Sequence, residues 1–350
     1  MTRTPDGKFQ SRRLKRFLTY FLTFAFLIAI MPVRTLAWGN EGHEITALIA
    51  YALLNPRAKQ NVDIVLEGKK IADVATWPDD LKRPGCAVPG AGCNPEYRPE
   101  TSQWHFVDMP VSGNGHFSRT GEYCQNSRYG DCIVFAIEDF RTILTKSTNE
   151  PFAAKREEDK RKFHDALSFI VHFLGDIHQP LHCADDHDAG GNGKLVTWQN
   201  EPEYQWADIW NLHSVWDEYL VTRNIMNMEP AKRTYEQYAN SLVAGLSAAE
   251  RNYAQLKSPT IKPGSPENVI AWAERSHALA RSSAYNLPPT KVKKSSRGKE
   301  KKNKQGQLLD IIVLNENYFT TTMPVVERQL RLGGVRLARI LNEIYDKDIH

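Results

Sequence analysis

Residues 172–182 read HFLGDIHQPLH, and they follow FHDALSFIV, a run that is apolar almost without break. A helix buried on most sides tolerates polar side chains only when they are hydrogen-bonded or coordinated. On such a helix His172 and Asp176, four residues apart, stack about 40° from each other on one face. His178 points roughly 120° away from His172 by the same geometry, so it is not expected to share their site. His182 lies beyond Pro180, where the chain has turned and can swing back toward the pair. The segment NLHSVWDEYL repeats the spacing with His213 and Asp217, and Trp210 and Trp216 suggest a buried setting. Two helices that present His-x-x-x-Asp toward one interior can build a multinuclear metal site.

More candidate ligands lie upstream. WHFVDMP places His105 between aromatics, with Asp108 three residues on, and ATWPDDLK places Asp79 after Trp-Pro. A chain beginning at Trp38 would read WGNEGHEI, with a free amino group on Trp38 and His43 shortly after. Taken singly, His105 reads as a bonded core histidine and Asp79 as a helix cap. Five histidines and three aspartates together read as metal ligands. Imidazole with carboxylate suits zinc, and ligand type alone leaves manganese and iron open.

The elements that must position these residues are helical nearly throughout. Apolar positions 163, 166/167, 170, 173/174 and 177 keep a helical period, and Pro180 stops that helix. Segments 43–54, 132–145, 206–220, 229–256 and the stretch after Pro324 read as helices too. Strand-like alternation is scarce, with KLVTW (194–198) the best candidate for a hairpin arm. Loops concentrate at 83–100, 110–130 and 183–205, and neither an internal repeat nor a domain boundary is visible. The expectation is a mainly α protein with one compact helical domain and a few short strands.

Residues 1–37 combine a basic start, the apolar stretch FLTYFLTFAFLIAIM and PVRTLA, the layout of a secretory signal peptide cleaved after Ala37. The apolar stretch is shorter than the ~20 residues of a spanning helix, and an uncleaved anchor is the alternative. The expected product is secreted or periplasmic. The formal charge of +4 includes this leader, and from residue 38 onward the chain is at −2. KVKKSSRGKEKKNK (291–304) holds 8 basic residues and 1 acidic one, leaving the remainder near −9. An acidic body suits a protein that gathers cations more than one that wraps a duplex. The tract itself reads as a disordered surface insertion, or as a contact for nucleic acid or an acidic surface. Of the five cysteines, Cys86 with Cys93 and Cys124 with Cys132 make the economical pairs, although two other pairings are equally allowed. Cys183 is left over, either a buried thiol or a soft ligand.

WGxxGH, Trp-x-Asp, His-Phe-x-Asp, HFxGDxxQPLH, GGN and NLHxxWD occur here in that order. The order resembles the trinuclear-zinc, single-strand-specific nucleases of fungi, plants and bacteria, with zinc-dependent phospholipase C as a distant relative. The resemblance covers most of 38–290 and resumes near 314, so 38–350 is expected to be one domain of the phospholipase C and zinc nuclease type. It implies three Zn2+ per chain. One would be held by Asp79, His105, His172 and Asp176. A second would be held by the Trp38 amino nitrogen and carbonyl oxygen, His43 and Asp176, and a third by His182, His213 and Asp217. It further places catalytic roles on Lys82 and Asp108, base stacking on Phe106 and base-edge hydrogen bonds on Asn192.

The implied activity is that of an endonuclease and 3′-nucleotidase acting on single-stranded DNA and RNA and leaving 5′ phosphates. Zinc would acidify a water for in-line attack at phosphorus, Asp108 orienting it and Lys82 stabilising charge on the phosphate. Stacking on Phe106 requires a splayed base, which a duplex resists. The implied substrates are single strands and 3′-nucleotides, with no stable protein partner, no membrane contact after cleavage and a monomeric state. The rival reading is a phospholipase C-like phosphodiesterase. Asp217, where that branch carries Glu, and the GGN and Lys82/Asp108 elements favour nucleotides.

Overall fold

The apolar spacing resolves into helices in the structure, a computed structural model that describes residues 38–82, 96–118, 122–125, 132–199, 209–227, 234–256, 268–295 and 298–347. The expected leader with its cleavage after Ala37, and the Cys86–Cys93 pair, lie outside the described residues. α1 (Asn40–Ala52), α2 (Pro56–Val65), α3 (Ile71–Val74) and α4 (Trp77–Leu81) lead to a 3-10 turn at Pro99–His105. α5 (Ile133–Ser147) and α6 (Glu157–Asp176) follow, then a second 3-10 turn at Pro180–Cys183. Next come β1 (Leu195–Trp198), β2 (Trp210–Asn211) and a short helix, Leu212–Ser214. A π turn (Val215–Tyr219) joins that helix to α7 (Leu220–Asn227). α8 (Tyr235–Ala244), α9 (Ala248–Ala254), α10 (Val269–Leu279), β3 (Lys291–Val292), β4 (Ile311–Leu314) and α11 (Glu316–Tyr345) follow, with short helical turns at Glu122–Gln125, Phe152–Ala154 and Ala280–Ala284 between the longer elements. The fold is mainly helical with a few short strands, as the periodicity implies.

Several boundaries differ from those expected, each for a local reason. The segment 229–256 is two helices, because Ser247 makes a capping box with Glu250 and starts α9 anew. α11 begins at Glu316 and runs through Pro324 instead of starting after it. Proline removes one helical N–H, but Asn315 caps the start and buried Met323, Val326 and Leu330 anchor both sides. Asn211 Oδ1 accepts from Ser214 N at 2.7 Å, which starts the turn that carries His213.

α11 forms the spine of the core and packs along α1, α6 and α9. Its approach to α1 depends on Gly334, where a Cβ would lie 2.5 Å from the side chain of Ile49. α5 packs on α6, so the apolar face of α6 is covered and its C-terminal polar residues turn inward. Cys124 and Cys132 form a disulfide, and Cys183 is a free, buried thiol. The four strands make one sheet in the order β2-β1-β4-β3. β1 is more than a hairpin arm: it pairs antiparallel with β2 and parallel with β4.

The lysine-rich tract, expected to be disordered, is folded where it is described. Lys291 and Val292 pair antiparallel with Ile312 and Ile311, Lys302 bridges Leu308, and Leu309 N donates to the Lys301 carbonyl. Composition argued against a core here, and none forms. Strand pairing to the partly buried β4 and turns at Gly298 and Gly306, both at positive φ, hold the tract instead.

Candidate metal centre

The C-terminal turn of α6 meets α1, the α4 region, the 99–105 turn and the 212–219 segment, and the metal candidates lie at that junction. His43, Asp79, His105, His172, Asp176, His182, His213 and Asp217 are all buried. They form three groups whose ligand atoms lie within 4.8 Å of one another: His43, His172 and Asp176; Asp79, His105 and His172; and His182, His213 and Asp217. Asp176 is central. Its Oδ2 lies 2.9 Å from His105 Nδ1 and 3.1 Å from His172 Nε2, and its Oδ1 lies 3.4 Å from His43 Nε2. The ring of His43 stacks on that of His172 at 3.8 Å. Spacing predicts this His172–Asp176 pair and its counterpart, in which His213 Nε2 sits 3.1 Å from Asp217 Oδ2.

Three of the histidines are aimed by backbone carbonyls. His172 Nδ1 donates to Ala75 O at 2.7 Å, His182 Nδ1 to His105 O at 2.9 Å and His213 Nδ1 to Gly190 O at 2.7 Å. Each bond fixes the tautomer and presents Nε2 inward as a lone-pair donor, the arrangement that orients metal-binding imidazoles. The chain is clamped here as well, since Val107 N donates to His182 O at 2.8 Å.

Several atoms facing the cluster have no hydrogen-bond partner: Nε2 of His43, His182 and His213, and Oδ1 of Asp79 and Asp176. Buried polar atoms are almost always satisfied, so a convergent set of orphaned nitrogens and oxygens fits bound cations. The electrostatics agree. His172 is pushed up to about 10: burial opposes its proton, but Asp176 and Asp79 prevail. Burial also opposes ionisation of Asp79, yet Lys82, His172 and His105 hold it well below the usual carboxylate range. The buried carboxylates demand positive charge between them.

Trp38 is fully buried beside this cluster, with Nε1 donating to Gly175 O at 2.8 Å. The next residue, Gly39, donates its N–H to Asp217 O at 2.7 Å. Lys82 sits at the rim with Nζ 2.5 Å from Asp79 Oδ1. Asp108 is exposed to solvent on one side. Its loss of solvent on the other side, with repulsion from Asp185 outweighing attraction to His213, pushes its carboxyl up to about 6. Phe106 is half-buried, in extended backbone directly after His105. Asn192 lies in the loop whose Gly190 carbonyl holds His213; its Nδ2 donates to Ala189 O at 2.7 Å and its Oδ1 has no partner. His178 stands apart, bonded to Leu174 O and Arg336 Nη1 at 2.7 Å each.

Sequence reasoning missed two residues that shape the centre. Gln179 donates to Asp217 Oδ1 at 2.5 Å and accepts from Leu181 N at 2.6 Å. Its signal in the sequence was an amide between candidate ligands and just before a proline. Gly175 is the other: a Cβ there would lie 2.7 Å from His43 Nδ1.

A helical domain that turns eight buried imidazoles and carboxylates onto shared positions belongs to the class of proteins that gather several cations in their interior. The profile of the S1/P1 nuclease family matches residues 38–346, and the chain belongs to that family; it is a hydrolase of the nuclease class. It is 27% identical to Endonuclease 1 of Arabidopsis thaliana over 334 residues, 95% of this chain and 94% of that protein. With Nuclease P1 of Penicillium citrinum it shares 26% over 319 residues, 89% of this chain and 99% of that one. With Nuclease S1 of Aspergillus oryzae it shares 33% over 186 residues, 52% and 54% of the two chains.

Proposed function

We propose that this chain is an exported zinc-dependent endonuclease and 3′-nucleotidase that hydrolyses single-stranded DNA and RNA to 5′-phosphate products. The observation that carries the reading is the convergence of orphaned buried ligand atoms on three neighbouring positions. Asp79, His105, His172 and Asp176 would hold one zinc. His43 and Asp176 would hold a second, with the amino nitrogen and carbonyl oxygen of Trp38, and His182, His213 and Asp217 a third. Zinc bound there supplies an acidified water and Lewis-acid stabilisation of charge on the phosphate and on the leaving oxygen.

The remaining residues position substrate and move protons. Asp108 reaches solvent beside the His213 group, and its carboxyl near 6 can accept a proton from an attacking water at neutral pH. Lys82 Nζ, which keeps Asp79 ionised, would meet a phosphate oxygen from the rim. Phe106 offers a half-exposed ring for stacking, worth about 1–3 kcal/mol per base and available only to an unpaired base. Asn192 would supply a hydrogen bond to a base edge; its Oδ1 is buried and has no partner in the chain, so the amide would have to turn outward. Export accords with the basic and apolar leader; among the described residues no helix is long and apolar enough to cross a membrane.

The test is metal content and activity of protein beginning at Trp38. Close to three zincs, with hydrolysis of single-stranded DNA and RNA lost on chelation and restored by zinc, is the expected result. Three zincs with phospholipid hydrolysis and no nuclease activity would move the chain to the phospholipase-like branch. Activity indifferent to chelation would overturn the metal assignment.

A further inference from the structure

The sheet has an end that faces the candidate centre. β1 starts at Leu195 and β4 at Ile311, while β2 ends at Asn211 and β3 at Val292; Leu195 pairs with Asn211, Val196 with Ile312, and Val292 with Ile311. These four strand termini therefore line up along one end of the sheet. From that end run the 190–194 loop, which carries Asn192 and the carbonyl that holds His213, and the step from Asn211 to His213. The excursion 293–310 leaves from the same end. At about 4.8 Å per strand step, its two roots lie about 5 and 10 Å across the sheet from the start of β1.

The excursion is built as an arm. Ser295 and Lys299 are joined by a backbone bond, Lys302 bridges Leu308, and Asn303 N donates to Gln307 O at 2.9 Å. Some of its charge is internally paired: Lys293 with Asp310 at 2.7 Å, and Lys294 and Lys302 with Glu300 at 2.9 and 3.8 Å. Lys299, Lys301 and Lys304 are exposed and, among the described residues, have no carboxylate at ion-pair distance. The rest of the chain from residue 38 carries net negative charge, so the arm adds positive charge on a segment rooted next to the centre. Flexible point charges of this kind suit phosphates without selecting bases.

We propose that the described part of this arm, 293–295 and 298–310, is an extended subsite for the phosphate backbone of a single-stranded nucleic acid, engaging the strand beyond the nucleotide at the metal centre. This rests on the nuclease reading above and adds to it a dependence on substrate length and salt. A strand leaving the centre along the 190–194 loop passes the roots of the arm within about one Debye length at physiological salt.

The test compares wild type with the triple variant Lys299→Gln, Lys301→Gln, Lys304→Gln, on a long single strand and on a dinucleotide, across a salt series. The variant is expected to lose about 10-fold in kcat/KM on the long strand at low salt. Its log–log salt slope should flatten by about 2, at ~0.7 for each phosphate that a lysine no longer neutralises. The dinucleotide rate should not change. Equal losses on both substrates, or an unchanged slope, would overturn the proposal. So would loss of binding to anionic-lipid vesicles with strand cleavage intact, which would reassign the arm to a membrane surface. If wild type hydrolyses neither substrate, the nuclease reading fails by itself. The arm is then read by fluorescence anisotropy of a labelled strand with chelated protein, and equal affinity for wild type and variant overturns it.

Discussion

Gln179 donates its side-chain amide to Asp217 Oδ1 at 2.5 Å and so joins the α6 end of the centre to the π turn that carries Asp217. The other carboxylate oxygen is left toward His213. A partner of this kind fixes which oxygen a metal meets, and its loss typically weakens a site 10–100-fold. Gln179→Glu keeps an acceptor for Leu181 N but cannot donate, and it repels Asp217. Zinc retained against a competing chelator should fall from three per chain to two. Retention of all three at unchanged affinity would remove Gln179 from the centre.

Much of the centre was legible because a four-residue step on a helix makes neighbours: it joins His172 to Asp176 and His213 to Asp217 without tertiary information. The carbonyls that aim the histidines were not legible. Ala75, His105 and Gly190 act through backbone oxygens that every residue possesses, so side-chain identity carries no trace of them. The folded arm escaped notice for a related reason, since its order comes from backbone pairing to β4 and across its own turns, which side-chain composition does not signal. Helix existence was readable from periodicity. The path of α11 through Pro324 was not, because flanking apolar burial outweighs the local preference of proline.

Gly175 is where His43 and Trp38 approach α6. A Cβ at 2.7 Å from His43 Nδ1 must displace the ring, which also stacks on His172. Gly175→Ala is therefore expected to cost about 1–3 kcal/mol by overpacking, despite the better helix propensity of alanine. It should also lose the zinc assigned to His43 before the others. Thermal melting of metal-free protein and zinc counts separate the two effects, and an unchanged melt would show that the ring has room.

Glu44 lies on the outer side of α1. Half-burial, then Glu41, Asp73 and Glu236, push its carboxyl up to about 7, against a weaker opposing bond from Tyr235. The folded state thus binds more protons than the unfolded one between pH 4.5 and 7, so this group's contribution to stability falls as pH rises through that window. Glu44→Gln mimics the protonated form. It should raise the melting temperature above pH 7, leave it unchanged below pH 4.5, and have a smaller effect in high salt. Solvent screening at this half-exposed site keeps the gain to about 1 kcal/mol or less. A gain of equal size at both pH extremes would assign the effect to packing instead.

Trp38 is buried against Gly175, and the N–H of Gly39 is tied to Asp217 O, so the chain enters the domain at the centre itself. A Trp38 nitrogen that is a free amine carries a lone pair for a metal; in a peptide bond the lone pair is delocalised and the atom is a poor ligand. Protein beginning at Trp38 should therefore bind one more zinc than protein extended by even a few residues, and should cleave single strands faster. Both forms should fold, since the indole bond to Gly175 and the packing of α1 on α11 are common to them. Equal zinc counts in the two forms would remove the amino terminus from the ligand set and leave His43 and Asp176 to hold that ion without it.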